Sequence, residues 1–267
     1  MKKIKTINEL DEILNKRFDL KYFTTSMKSK SEYEKKLENL YLFEEDGNFL
    51  TLQKRDGFYI ADGFFKRDAE FKFNFDEDLV LEYTFKRFDE EGSTLLKNLG
   101  FKEKLRRTQM ELKVDGDFKD EFNLLDETYI SEVHKEIERS FDRLYGCIPT
   151  EDELKNSFKN REVLGIKEDN KLKGFIEFKE GSKKSIIINH ISVLKDFRRC
   201  GIGKKLIENL CSYVGKIGYN RIELFVNDDN EEAFKFYKSL GFVEKNIKSI
   251  IYGRLIWKKK LLKYLWT

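Results

Sequence analysis

Proline is almost missing: Pro149 is the single one in 267 residues. Histidine occurs twice, at 134 and 190, and cysteine three times, at 147, 200 and 211. An odd number of cysteines without metal-ligand spacing, beside so few histidines, argues against both a disulfide scaffold and a zinc module, and a reducing cytoplasm fits. No stretch approaches the roughly 20 apolar residues of a membrane span. The N-terminal MKKIKTINELDEILNK has lysines but no apolar segment behind them, so it lacks the pattern of a secretory signal. Charge of one sign is also lacking. With 52 basic and 49 acidic residues the net charge is +3, which calls for neither a nucleic acid nor an anionic membrane as partner.

What is present is a soluble, globular balance of 40% hydrophobic and 38% charged residues, in a chain long enough for two domains. A repeat organises it. FYKSLGFVEK (236–245) echoes LLKNLGFKEK (95–104) at six of ten positions, 141 residues apart, and at the same offset Glu82 in VLEYTF matches Glu223 in RIELFV. Both of those runs read as strands. Each precedes a charged turn, a helix, Leu-Gly-Phe and another strand-like run, 105–114 and 249–257. The spacing predicts two domains of one ancestry, 1–120 and 121–267, joined within 115–127. In the second half, helices are expected over 127–142, 151–159 and 230–240. Strands are expected over 162–167 and 172–179 around the turn EDN, over the apolar 185–193, and over 221–226. A further helix after 201 places Leu206, Ile207, Leu210, Cys211, Val214 and Ile217 on one face. The first half reads as helices over 5–16 and 31–40 and strands over 49–53, 57–65, 69–75 and 80–86.

RRCGIGKK (198–205) stands between a strand and a helix. Its glycines allow a tight turn. The first turn of a helix leaves amides unpaired at the positive end of the helix dipole, a natural seat for a pyrophosphate. By itself the loop reads equally well as an ordinary turn with solvated basic residues. Together with DDNEEAFKFYKSLGF (228–242) it resembles the GNAT (GCN5-related N-acetyltransferase) superfamily. Arg198, Gly201 and Gly203 match that family's Q/R-x-x-G-x-G/A, Ile191 and Val193 the hydrophobic pair before it. Asn230, Ala233, Phe236, Tyr237, Gly241 and Phe242 match N-x-x-A-x-x-F-Y-x-x-x-G-F.

The resemblance implies an α+β fold of two GNAT-like domains. Each has a mixed, mostly antiparallel sheet flanked by helices, with a pair of parallel strands that splay apart in the second. It implies acetyl-CoA or another acyl-CoA as co-substrate. The pyrophosphate would lie on the amides of Arg199, Cys200, Gly201, Ile202, Gly203 and Lys204. The pantetheine would pair with the backbone of Ile191 and Val193, with Asn230 bonded to it. An amine acceptor, small molecule or peptide, would attack the thioester directly in a ternary complex, with Tyr237 as general acid toward the thiolate. Helical spacing also allows Tyr237 to be core, and Asp229 and Glu232 have capping-box spacing. The positions where the family often places a base hold Asn189 and Ile187, and strand alternation turns His190 to the other face unless a bulge intervenes. No metal is implied, and a homodimer stays open.

The first half lacks the motif: Leu96, Asp89 and Gly92 stand where the second has Tyr237, Asn230 and Ala233. It reads as a degenerate domain that binds no CoA. A non-catalytic acyl-CoA-binding regulator is the alternative function, and an aminoacyl-tRNA-dependent transferase a third, disfavoured by the near-neutral charge. The basic tail KKKLLKYLWT (258–267) is expected to dock on its own domain.

Overall fold

The computed structural model describes residues 1–68, 74–115 and 122–256. The expected strand 69–75 falls largely outside them, as do much of the joining segment and the basic tail. The described residues of the first half form strands β1 (Lys2–Lys3), β2 (Tyr22–Thr24), β3 (Leu40–Glu45), β4 (Asn48–Arg55), β5 (Phe58–Lys66), β6 (Leu79–Phe85) and β7 (Lys102–Lys113). Its α-helices are α1 (Asp11–Asn15), α2 (Lys30–Glu34) and α3 (Glu90–Asn98). The second half forms α4 (Ile130–Ser140), α5 (Glu151–Lys159), β8 (Val163–Glu168), β9 (Lys171–Glu180), β10 (Ser185–Val193), α6 (Ile202–Lys216), β11 (Arg221–Asn227), α7 (Glu231–Ser239) and β12 (Val243–Arg254). The class is α+β.

Local chemistry accounts for most of these bounds. Thr150 and Glu153 close a reciprocal capping box that starts α5 where the sequence predicts it. The β8–β9 hairpin turns at Asp169 and Asn170, both with positive φ, as a two-residue turn matching the strand twist requires. The helix expected over 31–40 is shorter. A capping box of Ser29 and Glu32 starts α2, but the helix ends at Glu34, and Leu40–Glu45 instead pairs with β4 across an Asp46–Gly47 turn of the same positive-φ kind. Cross-strand pairing overrides the weak helical pattern of that run.

The chain divides into two compact units. One comprises Met1–Arg106 with the segment from Ile247 on, the other Arg107–Asn246. These limits differ from a single boundary near residue 120. They fall inside β7 and β12, so each strand that follows a Leu-Gly-Phe contributes residues to both units. In the first unit the strands run β1-β3-β4-β5-β6, and then Lys248–Arg254 of β12 pair antiparallel with β6. In the second, Arg107–Lys113 of β7 pair antiparallel with β11, followed by β10, β9 and β8.

The two Leu-Gly-Phe segments close their helices identically. Gly100 and Gly241 have φ of 85° and 90°. The Phe101 and Phe242 amides donate back to the carbonyls of Leu96 and Tyr237, and the glycine amides to Lys97 and Lys238. This is the helix stop that glycine permits and a side chain at that φ resists. Leu96 and Tyr237 therefore occupy the same place, the residue whose side chain meets the phenylalanine beyond the glycine. The rings of Tyr237 and Phe242 lie 5.3 Å apart.

In the second unit one core, with Phe178, Leu206, Leu210, Leu224 and Phe242, lies between the sheet and α6 and α7. Another, with Val133, Ile137, Leu154 and Phe175, lies under α4 and α5. Leu206, Ile207, Leu210 and Val214 bury the predicted face of α6. Cys211 is half-buried, and Ile217, the residue after the helix, is 37% exposed. The first unit is packed around Phe23, Phe65, Leu81, Leu96, Phe101 and Tyr252.

Candidate active site

In the second unit β10 and β11 are parallel partners over three residue pairs, Ser185–Arg221 to Ile187–Glu223. Beyond that they separate. Residues from Ile188 to Val193 stay paired with β9, and Leu224–Asn227 stay paired with β7. The result is a notch in the sheet whose one wall is the edge of β10. A bulge at Asn189 sits at its base, between the Ile188–Phe178 and His190–Glu177 pairs. The Leu194 amide bonds to the Lys173 carbonyl on the β9 side, so alternation turns the backbone groups of Ile191 and Val193 to the open edge. Their side chains are half-buried against the α6 core.

The chain leaves β10 through a short 3-10 turn and reaches the glycine loop. Gly201, with φ of 76°, is the N-cap of α6 and offers no side chain to its first-turn amides. Arg198, Arg199, Cys200, Gly201 and Lys204 are exposed, Ile202 is buried under the loop, and Gly203 is half-buried. The Arg198 Nε donates to the Val193 carbonyl at 3.0 Å, which ties the loop to the end of the notch. A Cβ at Gly203 would stand 3.1 Å from Phe236 and 3.8 Å from Val193. The loop, the end of β10 and α7 thus converge. An open hollow of about 450 Å³ beside them is lined by Arg139, Ser140, Lys195 and Arg198.

Tyr237 is buried, in ring contact with Phe236 and Phe242, and its hydroxyl has no hydrogen-bond partner among the described residues. Burial pushes its phenol well above the ordinary tyrosine value, so it stays protonated through the neutral range. Asn230, not Asp229, caps α7. Its Oδ1 accepts from the Ala233 amide at 3.0 Å, and the exposed side chain has its amide group left over. The Asp229–Glu232 capping box expected from spacing does not form; the helix starts one residue later on the single Asn230 cap, with Ala233 at the third helical position. Burial pushes the Cys211 thiol up to about 11, as for a core cysteine with no nucleophilic role.

The bulge is present, yet His190 still faces the α4 side of the sheet. It is 4% exposed, its Nδ1 lies 2.9 Å from Glu177 Oε2, and its Nε2 lies 3.1 Å from the Gly146 carbonyl. Two carboxylates missing from the sequence reading sit on this face. Glu177 Oε1 accepts from Ser157 and Asn189. Glu136 Oε1 accepts from Ser140 and Ser192, and its Oε2 pairs with Arg139. Both are visible in hindsight as acids inside apolar pattern: Glu177 between Ile176 and Phe178, Glu136 beside Val133 and Ile137. Among the described residues no group of three histidine, cysteine or acidic side chains is placed to hold a metal.

The first unit repeats the opening and fills it. β5 and β6 are parallel over three pairs, Tyr59–Leu79 to Ala61–Leu81. Past that point β2 takes over the same edge of β5. The Tyr59 amide bonds to Asp78 on the β6 side, and two alternations later the Gly63 carbonyl accepts from Thr25. Phe23 at the centre of β2 is buried beside Tyr83, and a Cβ on Gly92 would lie 2.1 Å from its ring.

The second unit is thus an α+β sheet in which a parallel strand pair opens into a notch, with a helix start that lacks a side-chain cap at its mouth. In comparison with known proteins, residues 124–242 match the model of the acetyltransferase (GNAT) family. Over 60 residues it is 45% identical to an uncharacterized N-acetyltransferase of Methanocaldococcus jannaschii, a match covering 22% of this chain and 26% of that one. A GCN5-related N-acetyltransferase from Sphaerobacter thermophilus shares the fold with a TM-score of 0.60, at 14% identity over 85% of each chain. A tandem GNAT protein from the clavulanic acid biosynthesis pathway does so with a TM-score of 0.59, at 12% identity over 93% of this chain and 94% of that one. No α-helix among the described residues is long and apolar enough to cross a membrane.

Proposed function

We propose that the Arg107–Asn246 unit transfers an acetyl or other acyl group from acyl-CoA to an amine. The observation that carries this reading is the notch, with the backbone edge of β10 at Ile191 and Val193, open but for the Arg198 bond to the Val193 carbonyl, along one wall and the bare first turn of α6 at its mouth. A pantetheine arm adds to such an edge as a strand does. A pyrophosphate matches the amides of 199–204, with Arg198, Arg199 and Lys204 adding positive charge. Asn230's spare amide group is available to the arm. The amine nitrogen attacks the thioester carbonyl, the C–N bond forms and the C–S bond breaks. A backbone amide at the bulge serves the oxyanion. Tyr237 gives its proton to the departing thiolate, and the proton shed by the acylated nitrogen restores the phenol through solvent. The products are an amide and free CoA. The acceptor is an amine of a small molecule or peptide, and the site of action is the cytoplasm.

A second reading, a non-catalytic acyl-CoA binder, is favoured by Asn189 standing at the bulge where a base would be useful, and by both nitrogens of His190 being engaged. Calorimetry with acetyl-CoA tests the site. One molecule is expected per chain, since β2 occupies the matching opening of the first unit. Gly203→Asp places a bulky anion against Phe236 at the helix start and is expected to weaken binding at least about tenfold. Absence of binding, or binding indifferent to this substitution, rules the CoA assignment out. Release of free CoA thiol across a panel of amines then separates enzyme from binder.

A further inference from the structure

The chain's two histidines hold the same loop. Residues 141–149 connect α4 to α5. His134 Nε2 lies 3.1 Å from the Pro149 carbonyl, and His190 Nε2 lies 3.1 Å from the Gly146 carbonyl. A carbonyl only accepts, so both ring nitrogens carry the hydrogen. Within the loop Asp142 Oδ1 accepts from the Leu144 and Tyr145 amides, and the Asp142 carbonyl from Gly146, while Phe141 and Ile148 pack against the core under α4 and α5. His190, on β10, ties it to the sheet. Its ring is covered edge-on by Phe141 at 4.8 Å, and its Nδ1 is met by Glu177, which is itself fixed by Ser157 from α5 and by Asn189 of the bulge. One buried group therefore joins the loop, α5 and the irregular point of β10.

We propose that His190, oriented by Glu177, is a positioning residue that fixes the 141–149 loop as a wall of the acceptor site. This rests on the acyltransferase reading above. The thioester would lie along the edge of β10 at Ile191, next to His190 in the strand. The face that His190 and Ser192 present is covered by the end of α4 and by this loop. An amine approaching from that face meets the loop before it meets the carbonyl carbon. His190 does not act as the base in this arrangement, because Nε2 already donates to Gly146 and Nδ1 is enclosed with Glu177.

The full-length chain and three variants test this. In Glu177→Gln every hydrogen bond survives without charge: the Gln oxygen accepts from Ser157 and Asn189, and its amide group donates to a neutral His190. His190→Ala removes the tie, and His190→Gln keeps a donor toward Gly146 should the alanine variant fold poorly. Hydrogen exchange of the 142–149 peptide is expected to quicken about tenfold in His190→Ala, the scale of one lost hydrogen bond. It should change less than about threefold in Glu177→Gln and lie between the two in His190→Gln. Acetyl-CoA affinity should hold within about threefold in all three. With the best amine of the panel, His190→Ala should raise the acceptor KM about tenfold at nearly constant kcat, and Glu177→Gln should leave it within about threefold of the wild type. Unchanged exchange overturns the proposal. So does a large fall of kcat in Glu177→Gln, which would make the pair a proton relay. Failure of the wild type to bind acetyl-CoA removes the acyltransferase reading instead, while the exchange result still decides whether the loop is tied.

Discussion

Tyr237 and Leu96 show what a single hydroxyl adds to a shared scaffold. Both side chains meet the phenylalanine that follows a positive-φ glycine, so the ring of Tyr237 has a packing role that leucine fills equally well. The hydroxyl is surplus to that role and has no partner among the described residues. Tyr237→Phe is therefore expected to leave stability within about 0.5 kcal/mol and acetyl-CoA affinity nearly unchanged, while lowering turnover by roughly a hundredfold. Equal turnover in the variant removes the general-acid role. The residues of this site were legible in the sequence because their spacing is local: the Arg198–Gly203 loop and the Asn230–Phe242 helix each lie within one element and its flanks. Glu177 and Glu136 were not, because a buried acid is recognised by the partners it finds from other elements, and Ser157, Asn189, His190, Ser140 and Ser192 are scattered over 53 positions.

Among elements, β10 and α5 carry the bounds that sequence pattern gives them, since an apolar run and a capping box are self-contained signals. The bulge in β10 and the whole of β2 escape such reading. A bulge exists only relative to the partner strand, and a three-residue strand such as Tyr22–Thr24 is defined by pairing with Phe64–Lys66, some forty residues away. Yet β2 decides the character of its unit, because it completes the edge that the other unit leaves open. Gly92→Ala tests how firmly it is seated. Alanine favours the helix by about 1 kcal/mol, but its Cβ would overlap the ring of Phe23, which Tyr83 and Leu96 confine. Overpacking costs about 1–3 kcal/mol and wins. Urea titration is expected to show a net loss of about 1–2 kcal/mol, and a gain would mean that β2 yields easily.

For the molecule as a whole, buried phenols set the alkaline limit. Burial raises the hydroxyls of Tyr33, Tyr83, Tyr237 and Tyr252 above the ordinary value, with Tyr83 pushed up to about 12. The unfolded chain ionises near pH 10, below the folded values. Under about pH 10 both states keep these protons and the stabilisation is complete. Above it the unfolded state sheds protons that the folded state retains, so stability falls as pH rises. Thermal unfolding should be level from about pH 7 to 9.5 and drop beyond about pH 10, together with a rise in tyrosinate absorbance. A flat profile to about pH 11.5 would contradict these burials.

The division of β7 and β12 bears on how the protein is made. One edge of β6 is covered by Lys248–Arg254, which leave the ribosome only after Arg107–Asn246. The first unit thus cannot complete its sheet while the second is still being translated. Arg107–Lys113, by contrast, are already waiting when β11 emerges. The usual order, in which the N-terminal part folds first during synthesis, is reversed. The unit with the open notch is finished before the unit that precedes it, and until then β6 is an unpaired edge that a chaperone or a neighbouring nascent chain could occupy.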